Sequence, residues 1–213
     1  QEEDLMSYLK QQKEAGVFGS IIVLVNSEQA MELGWLDEYD VDACLVVGRP
    51  GAVGYTGIVN VLTGAANPSG RLVDTYASNT LSAPATVFAG ENTQTWANLD
   101  WVENNDVDFG TDGSENNWIV YAEGIYVGYK YYENRYEDTV LKAGNADSTK
   151  GSSTGNAWNY ADEVSFTFGD GLSYTTFEQK LDQVKYNAET DSYEAEVTVT
   201  NTGDVAGRDV VEF

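Results

Sequence analysis

The stretch SIIVLVN, residues 20–26, decides the fold. Five apolar residues, four of them β-branched, run from Ile21 to Val25 without a polar break. A run of this length and composition suits a strand of a parallel sheet, buried on both faces so that alternation disappears. Upstream, residues 2–15 (EEDLMSYLKQQKEA) place acids in a first turn and lysine in a last one, with Leu5, Met6 and Leu9 on one side and Gly16 beyond. This predicts a helix. Downstream, an amphipathic piece (MELGWLDEY, 31–39) precedes a second apolar run, ACLVVG (43–48). RPGAVG then leads into YTGIVNVLTG, whose Ile58, Val59, Val61 and Leu62 predict a helix closed by Gly64. Helix, strand, helix, strand, helix is the order of an α/β layer with parallel strands.

Composition narrows the function. Against 35 Asp and Glu stand 11 Lys and Arg, a formal charge of −24, which repels nucleic-acid phosphates and anionic membrane surfaces. Neither is an expected partner. There is no histidine, so a His-based triad, an imidazole metal ligand and an imidazole proton shuttle are all excluded within this sequence. Cys44, the only cysteine, lies inside an apolar run and reads as a small core residue. No D-x-D-x-D-G loop announces calcium, so neither a metal nor a cofactor is expected. No apolar run approaches the ~18 residues of a membrane span. The compartment stays open.

The texture then changes twice. From Ala77 to Asn117 no period persists, and polar residues surround Phe88, Trp96, Trp101 and Phe109; a stretch this long without period suggests a binding segment or a disordered one. WIVYAEGIYVGYKYYENRY (118–136) is dense in aromatics and reads as β-prone. Residues 144–160 read as a mobile, Gly- and Ser-rich surface loop. After Thr176, FEQKLDQVKY, SYEAEVTVTN and GRDVVEF alternate apolar and polar residues across NAETD and NTGDVA turns, the opening of an antiparallel β-sandwich. The start on Gln1 and the stop at Phe213 in an alternating run are expected of a piece of something longer.

Three segments together resemble glycoside hydrolase family 3, the β-glucosidase and β-xylosidase group. They are GRPGAVGYTGIVNVLTGAANPSGRLVDTY (48–76), YAEGIYVGYKYYENRY (121–136) and FTFGDGLSYTTFE (166–178), in this order. They are similar to the family's Asn-Pro-Ser-Gly-Arg-Leu turn, its Glu-Gly-x-Val-Gly-Tyr segment and its Phe-Gly-x-Gly-Leu-Ser-Tyr hinge. Ala52 and Val53 depart from a common Gln-Glu, and Asp170 stands where an aromatic or His is usual. The resemblance implies a layered α/β sandwich with a mostly parallel sheet over residues 1–175. It also implies the first strands of an incomplete β-sandwich, fibronectin type III-like, over 176–213.

It further implies a retaining glycosidase acting on a β-linked oligosaccharide or glycoside with two carboxyl groups roughly 5 Å apart. In the family the nucleophile is an Asp on a (β/α)8 barrel of roughly 250 residues, and the acid/base Glu precedes the first helix seen here. Both catalytic groups are therefore expected outside this sequence, and the barrel domain is the expected partner.

Candidate substrate contacts are Trp96, Trp101, Arg49, Asp74 and Glu123. Trp96, Trp101 and Trp118 offer flat faces for a sugar ring, although aromatics in a long loop more often pin it to its domain. Arg49 and Arg71 carry forked donors suited to hydroxyls or carboxylates, but such residues more often tie loops together. Asp74 more often serves its own loop. Glu123 lies among aromatics, where an acid suits proton transfer; the commoner reading is a carboxylate that caps, or pairs with Lys130 or Arg135. A non-catalytic carbohydrate-binding or scaffold module derived from this family is the alternative. A nucleotide-binding domain fails for lack of G-x-G-x-x-G after the first strand.

Overall fold

A computed structural model describes residues 2–87 and 123–212. Their elements run α1 (Glu2–Glu14), β1 (Ile22–Val25), α2 (Trp35–Glu38), β2 (Ala43–Val46), α3 (Gly51–Leu62), β3 (Tyr76–Ala77), a 3-10 turn (Thr80–Ser82), α4 (Pro84–Val87), α5 (Tyr129–Leu141), α6 (Tyr160–Glu163), β4 (Val164–Phe166), β5 (Phe177–Asn187) and β6 (Ser192–Asn201). The fold is α/β, with helices and three two-stranded sheets among the described residues. It divides into two units that interleave along the chain. One comprises Gln1–Gln29, Leu36–Asp74 and Thr167–Phe213; the other comprises Ala30–Trp35 and Thr75–Phe166.

In the first unit β1 and β2 pair in parallel, from Ile22 opposite Ala43 to Val25 opposite Val46. Ile21, Val25 and Leu36 are buried, but Ile22 and Leu24 on the other side of β1 are exposed. The described residues therefore do not bury β1 on both faces, as its unbroken apolar run suggested. Helix α1 is fastened where it ends: Lys13 Nζ lies 2.9 Å from both Asp40 and Asp42. Asp42 Oδ2 also accepts from Ile21 N at 2.7 Å, so one carboxylate joins the helix to the entries of both strands. Helix α3 starts earlier than its apolar pattern implied. Pro50 sits at its N-cap, the position before the first turn, where its missing N–H deprives the helix of nothing. Gly54 is needed there because a Cβ would lie 2.8 Å from that of Pro50.

The same unit carries the hairpin. β5 and β6 pair antiparallel from Phe177 opposite Asn201 to Asn187 opposite Ser192, with one irregularity between Leu181 and Gln183. This matches the alternation read from the sequence. The third alternating run, GRDVVEF, does not extend the ladder over its described residues 207–212.

In the second unit β3 pairs antiparallel with β4, and Ala77, Tyr132 and Trp158 form a buried cluster against which Tyr131, Tyr160 and Val164 pack. The β-prone reading of 118–136 is corrected here: Tyr129–Leu141 is helical. Charged and polar residues at Lys130, Asn134, Glu137 and Asp138 occupy exposed positions of α5, while Tyr132 turns inward. Aromatic β propensity yields to that packing. Helix α5 ends on Lys142, whose left-handed backbone (φ 58°) takes the place usually given to glycine.

Candidate functional site

The 67–71 turn is built from a polar network inside the first unit. Asn67 Oδ1 accepts from Ser173 Oγ at 2.9 Å and from Tyr174 N at 2.7 Å. The Tyr174 hydroxyl donates to Val61 O at the end of α3, 2.8 Å away. Next to it, Leu72 N donates to Asp170 O (2.7 Å) and Gly169 N to Leu72 O (2.9 Å). Asp170, the departure from the family pattern, uses its carboxylate locally by accepting from Thr167 N at 2.8 Å. Backbone crowding is close enough that a Cβ on Gly171 would lie 2.4 Å from Gly70 O. Two of the three motif segments that look unrelated in sequence, 48–76 and 166–178, are thus interlocked.

The second unit contains a denser centre. Arg135 on α5 donates to Ala146 O (2.7 Å), Ser148 O (3.1 Å) and Lys150 O (2.8 Å), and to the Tyr131 hydroxyl. Its guanidinium carbon lies 4.6 Å from the centre of the Trp158 ring and 5.7 Å from that of Tyr131. A planar five-donor fork serves this purpose and an ammonium does not. The 144–160 segment, expected to be a mobile loop, is therefore threaded around a fixed cation. Tyr160 donates to Glu133 Oε1 at 2.5 Å. Glu163 is fully buried; its oxygens accept from Ser153 N at 2.8 Å and Ser82 Oγ at 3.2 Å. Its backbone oxygen accepts from Ser78 N. A carboxylate can be buried when its lone pairs are met this way.

Each candidate read from the sequence has its own setting. Arg49 pairs with Glu28 at 2.9 Å and is 80% exposed, a setting in which an ion pair contributes about 0–1 kcal/mol. Asp74 is half-buried in the first unit, ahead of the buried residues Thr75, Tyr76 and Ala77. Glu123, in the second unit, accepts from Tyr126 N through its backbone oxygen (2.9 Å). Its Oε2 is buried with no hydrogen-bond partner among the described residues, and Arg135 is committed elsewhere. Trp96, Trp101 and Trp118 lie outside the described residues.

Arg135 and Glu163 were not singled out as sites from sequence. Their only signal was a charged residue one helical turn from an aromatic (Tyr131 to Arg135) and an acid abutting the apolar start of VSF. Burial pushes the Cys44 thiol up from its usual range, which leaves it protonated and weakly nucleophilic. Among the described residues no group of three or more His, Cys, Asp or Glu is arranged to hold a metal ion. No helix among them is long and apolar enough to cross a membrane. The bonded carboxylates of the network hold loops and strands in place.

Comparison with known proteins places this architecture. The family model of the "Glycosyl hydrolase family 3 C-terminal domain" matches residues 2–129. A beta-glucosidase of Ruminococcus albus is 31% identical over 195 residues, covering 92% of this chain and 15% of its own. Beta-glucosidase A of Butyrivibrio fibrisolvens is 28% identical over 210 residues, covering 92% and 20%. Among solved structures, a beta-glucosidase from Paenibacillus barengoltzii superposes with a TM-score of 0.59 at 28% identity, covering 92% of this chain and 16% of that one. A Kluyveromyces marxianus beta-glucosidase solved in complex with glucose gives 0.53 at 28%, over 87% and 16%. The chain thus spans only 15 to 20% of the length of these two curated relatives. With the family profile over more than half of its residues and the motif segments interlocked, the chain belongs to glycoside hydrolase family 3.

Proposed function

We propose that this chain is part of a retaining β-glycosidase, a β-glucosidase in the first instance, that hydrolyses terminal non-reducing β-D-glycosyl residues. Residues 1–175 serve as its α/β-sandwich domain and residues 176–213 begin a fibronectin type III-like module. Both catalytic carboxyl groups lie outside residues 1–213: the nucleophile on a (β/α)8 barrel and the acid/base Glu ahead of α1. The chain forms a wall of the cleft, with Trp96, Trp101, Arg49, Asp74 and Glu123 as its candidate substrate contacts. The carrying observation is the family match over residues 2–129 together with relatives named as β-glucosidases.

One feature supports placing the chemistry elsewhere. The carboxylates of Glu163, Asp42 and Asp170 already accept hydrogen bonds from backbone N–H groups. An acid or nucleophile must instead face a substrate atom at hydrogen-bond or bond-forming range. The test is an aryl β-glucoside assay on residues 1–213 and on the natural polypeptide that carries them. Turnover is expected from the second and not from the first. Appreciable hydrolysis by the 213 residues would overturn the assignment of both catalytic groups. Inactivity of both proteins would favour the non-catalytic carbohydrate-binding or scaffold reading.

A further inference from the structure

Beyond β6 the described residues form no third strand, yet the segment is closely held. It turns back through Asn201, whose Oδ1 accepts from Gly203 N at 3.1 Å and whose Nδ2 donates to Val205 O at 2.9 Å. Thr202 N donates to Thr176 O at 2.8 Å. The returning segment then meets the 67–71 turn. Asn67 Nδ2 donates to Ala206 O at 3.0 Å, and Arg71 Nη2 reaches Asp209 Oδ1 at 2.8 Å with the two side chains only 17% and 10% exposed. Asp209 Oδ2 accepts from Gln179 Nε2 at 2.8 Å, and the same amide donates to Val210 O.

Steric evidence agrees and is independent of the hydrogen bonds. A Cβ on Gly207 would lie 2.8 Å from Asn67 Nδ2, 2.9 Å from Thr175 Cγ2 and 3.2 Å from Phe177 Cζ. On Gly203 it would lie 2.3 Å from Thr175 Oγ1. The segment passes where no side chain fits, which is one of the few positions that require glycine for space.

We propose that residues 203–210 are a strap latched by Asn67 and Arg71, and that this latch fixes the β5–β6 hairpin to the end of α3. The Asn67 carboxamide is the pivot: its oxygen holds the FGDGLSY segment ahead of the hairpin, and its nitrogen holds the strap behind it. Only a side chain that accepts and donates at once does both. Arg71 adds a second, separate fastening, in a setting shielded from salt. The hairpin is thereby gripped at its entrance and at its exit, and behaves as a strut.

The latch is tested by limited proteolysis with a broad-specificity protease, read by mass spectrometry, on the natural polypeptide carrying residues 1–213. Asn67→Asp keeps the shape and the acceptor but loses the donor; Gly207→Ala adds one methyl and removes no hydrogen bond. Each is expected to raise the rate of cleavage within residues 203–210 by about tenfold, the effect of one lost hydrogen bond or one forced displacement on local opening. Cleavage at Val23–Val25 and Ala43–Val46 should stay unchanged. Asp209→Asn leaves the 67–71 turn intact, removes the charge facing Arg71 and one of the two acceptors that Arg71 and Gln179 use, and is expected to give about threefold over residues 206–210. Unaltered protection of the strap in Asn67→Asp and Gly207→Ala would overturn the proposal. So would an equal loss in β1 and β2, which would make the effect a general destabilisation, and a strap indifferent to Asp209→Asn would remove Arg71 from it.

Discussion

The α5 region and the β5–β6 hairpin reach order by opposite routes. Around α5 side chains do the work: Trp158 is 3% exposed, Glu163 fully buried, and one arginine gathers three carbonyls and two aromatic faces. In the hairpin the backbone ladder does it, for Leu181, Val184 and Tyr186 are exposed and Tyr193 is 77% exposed. The first is a centre whose stability concentrates in a few groups. The second distributes it over ten paired positions, so that no exposed side chain is indispensable. A sequence reader sees the second kind easily, because alternation is local, and the first kind poorly, because its partners are far apart.

The largest effect should come from the concentrated centre. Arg135→Ala deletes the donors to Ala146, Ser148 and Lys150 and the ring contact with Trp158. We expect a loss on the order of 3 kcal/mol in a urea unfolding transition, with Arg135→Lys recovering only a minor part because an ammonium lacks the fork. A loss below about 1 kcal/mol would show that the loop organises itself without the cation. Tyr193→Ala in the hairpin should cost far less. Its ring lies 5.3 Å from that of Tyr186, and such a cross-strand pair contributes roughly 0.2–1 kcal/mol. A larger cost than that of Arg135→Ala would reverse the comparison.

The smallest effect lies in the pH response of α1. Lys13, by its hydrogen bond, and then the Ile21 N–H hold the Asp42 carboxyl below its usual value of 3.8. Asp42 and Asp40 in turn raise Lys13. A depressed carboxyl contributes above its unfolded pKa and loses that contribution as pH falls through the folded one. A raised lysine contributes below its unfolded pKa and loses it as pH climbs through the folded one. The tie is thus fully present between about pH 4 and pH 10. The difference in melting temperature between wild type and Asp42→Asn should be small and constant from pH 6 to 9 and disappear in strong acid. A difference that persists at pH 2 would assign the role of Asp42 to its shape.

Much of the fold was legible in the sequence. Ile21–Val25 and Ala43–Val46 announced parallel strands, and the acids at Glu2, Glu3 and Asp4 announced α1. Helix α5 was not legible, since four tyrosines at 129, 131, 132 and 136 look like strand material until Trp158 and Arg135 are seen around them. Glu163 was equally hidden: in YADEVSF nothing distinguishes it from Asp162, and only the meeting with Ser82 and Ser153 buries it. The candidate site was legible mainly as a family signature. Asn67 showed itself as part of a turn, whereas its partners at Ser173, Tyr174 and Ala206 lie more than a hundred residues on.

Proline at position 68 has a consequence for how this protein ages. Asparagine deamidates when the nitrogen of the following residue attacks the carboxamide carbon, a succinimide forms and ammonia leaves. Pro68 offers no N–H to that reaction, so the residue that most needs to remain an amide is followed by the one residue unable to start its decay by this route. An Asp at 67 could not donate to Ala206 O. The order Asn-Pro in this turn thus gives the joint a chemical lifetime as well as a shape.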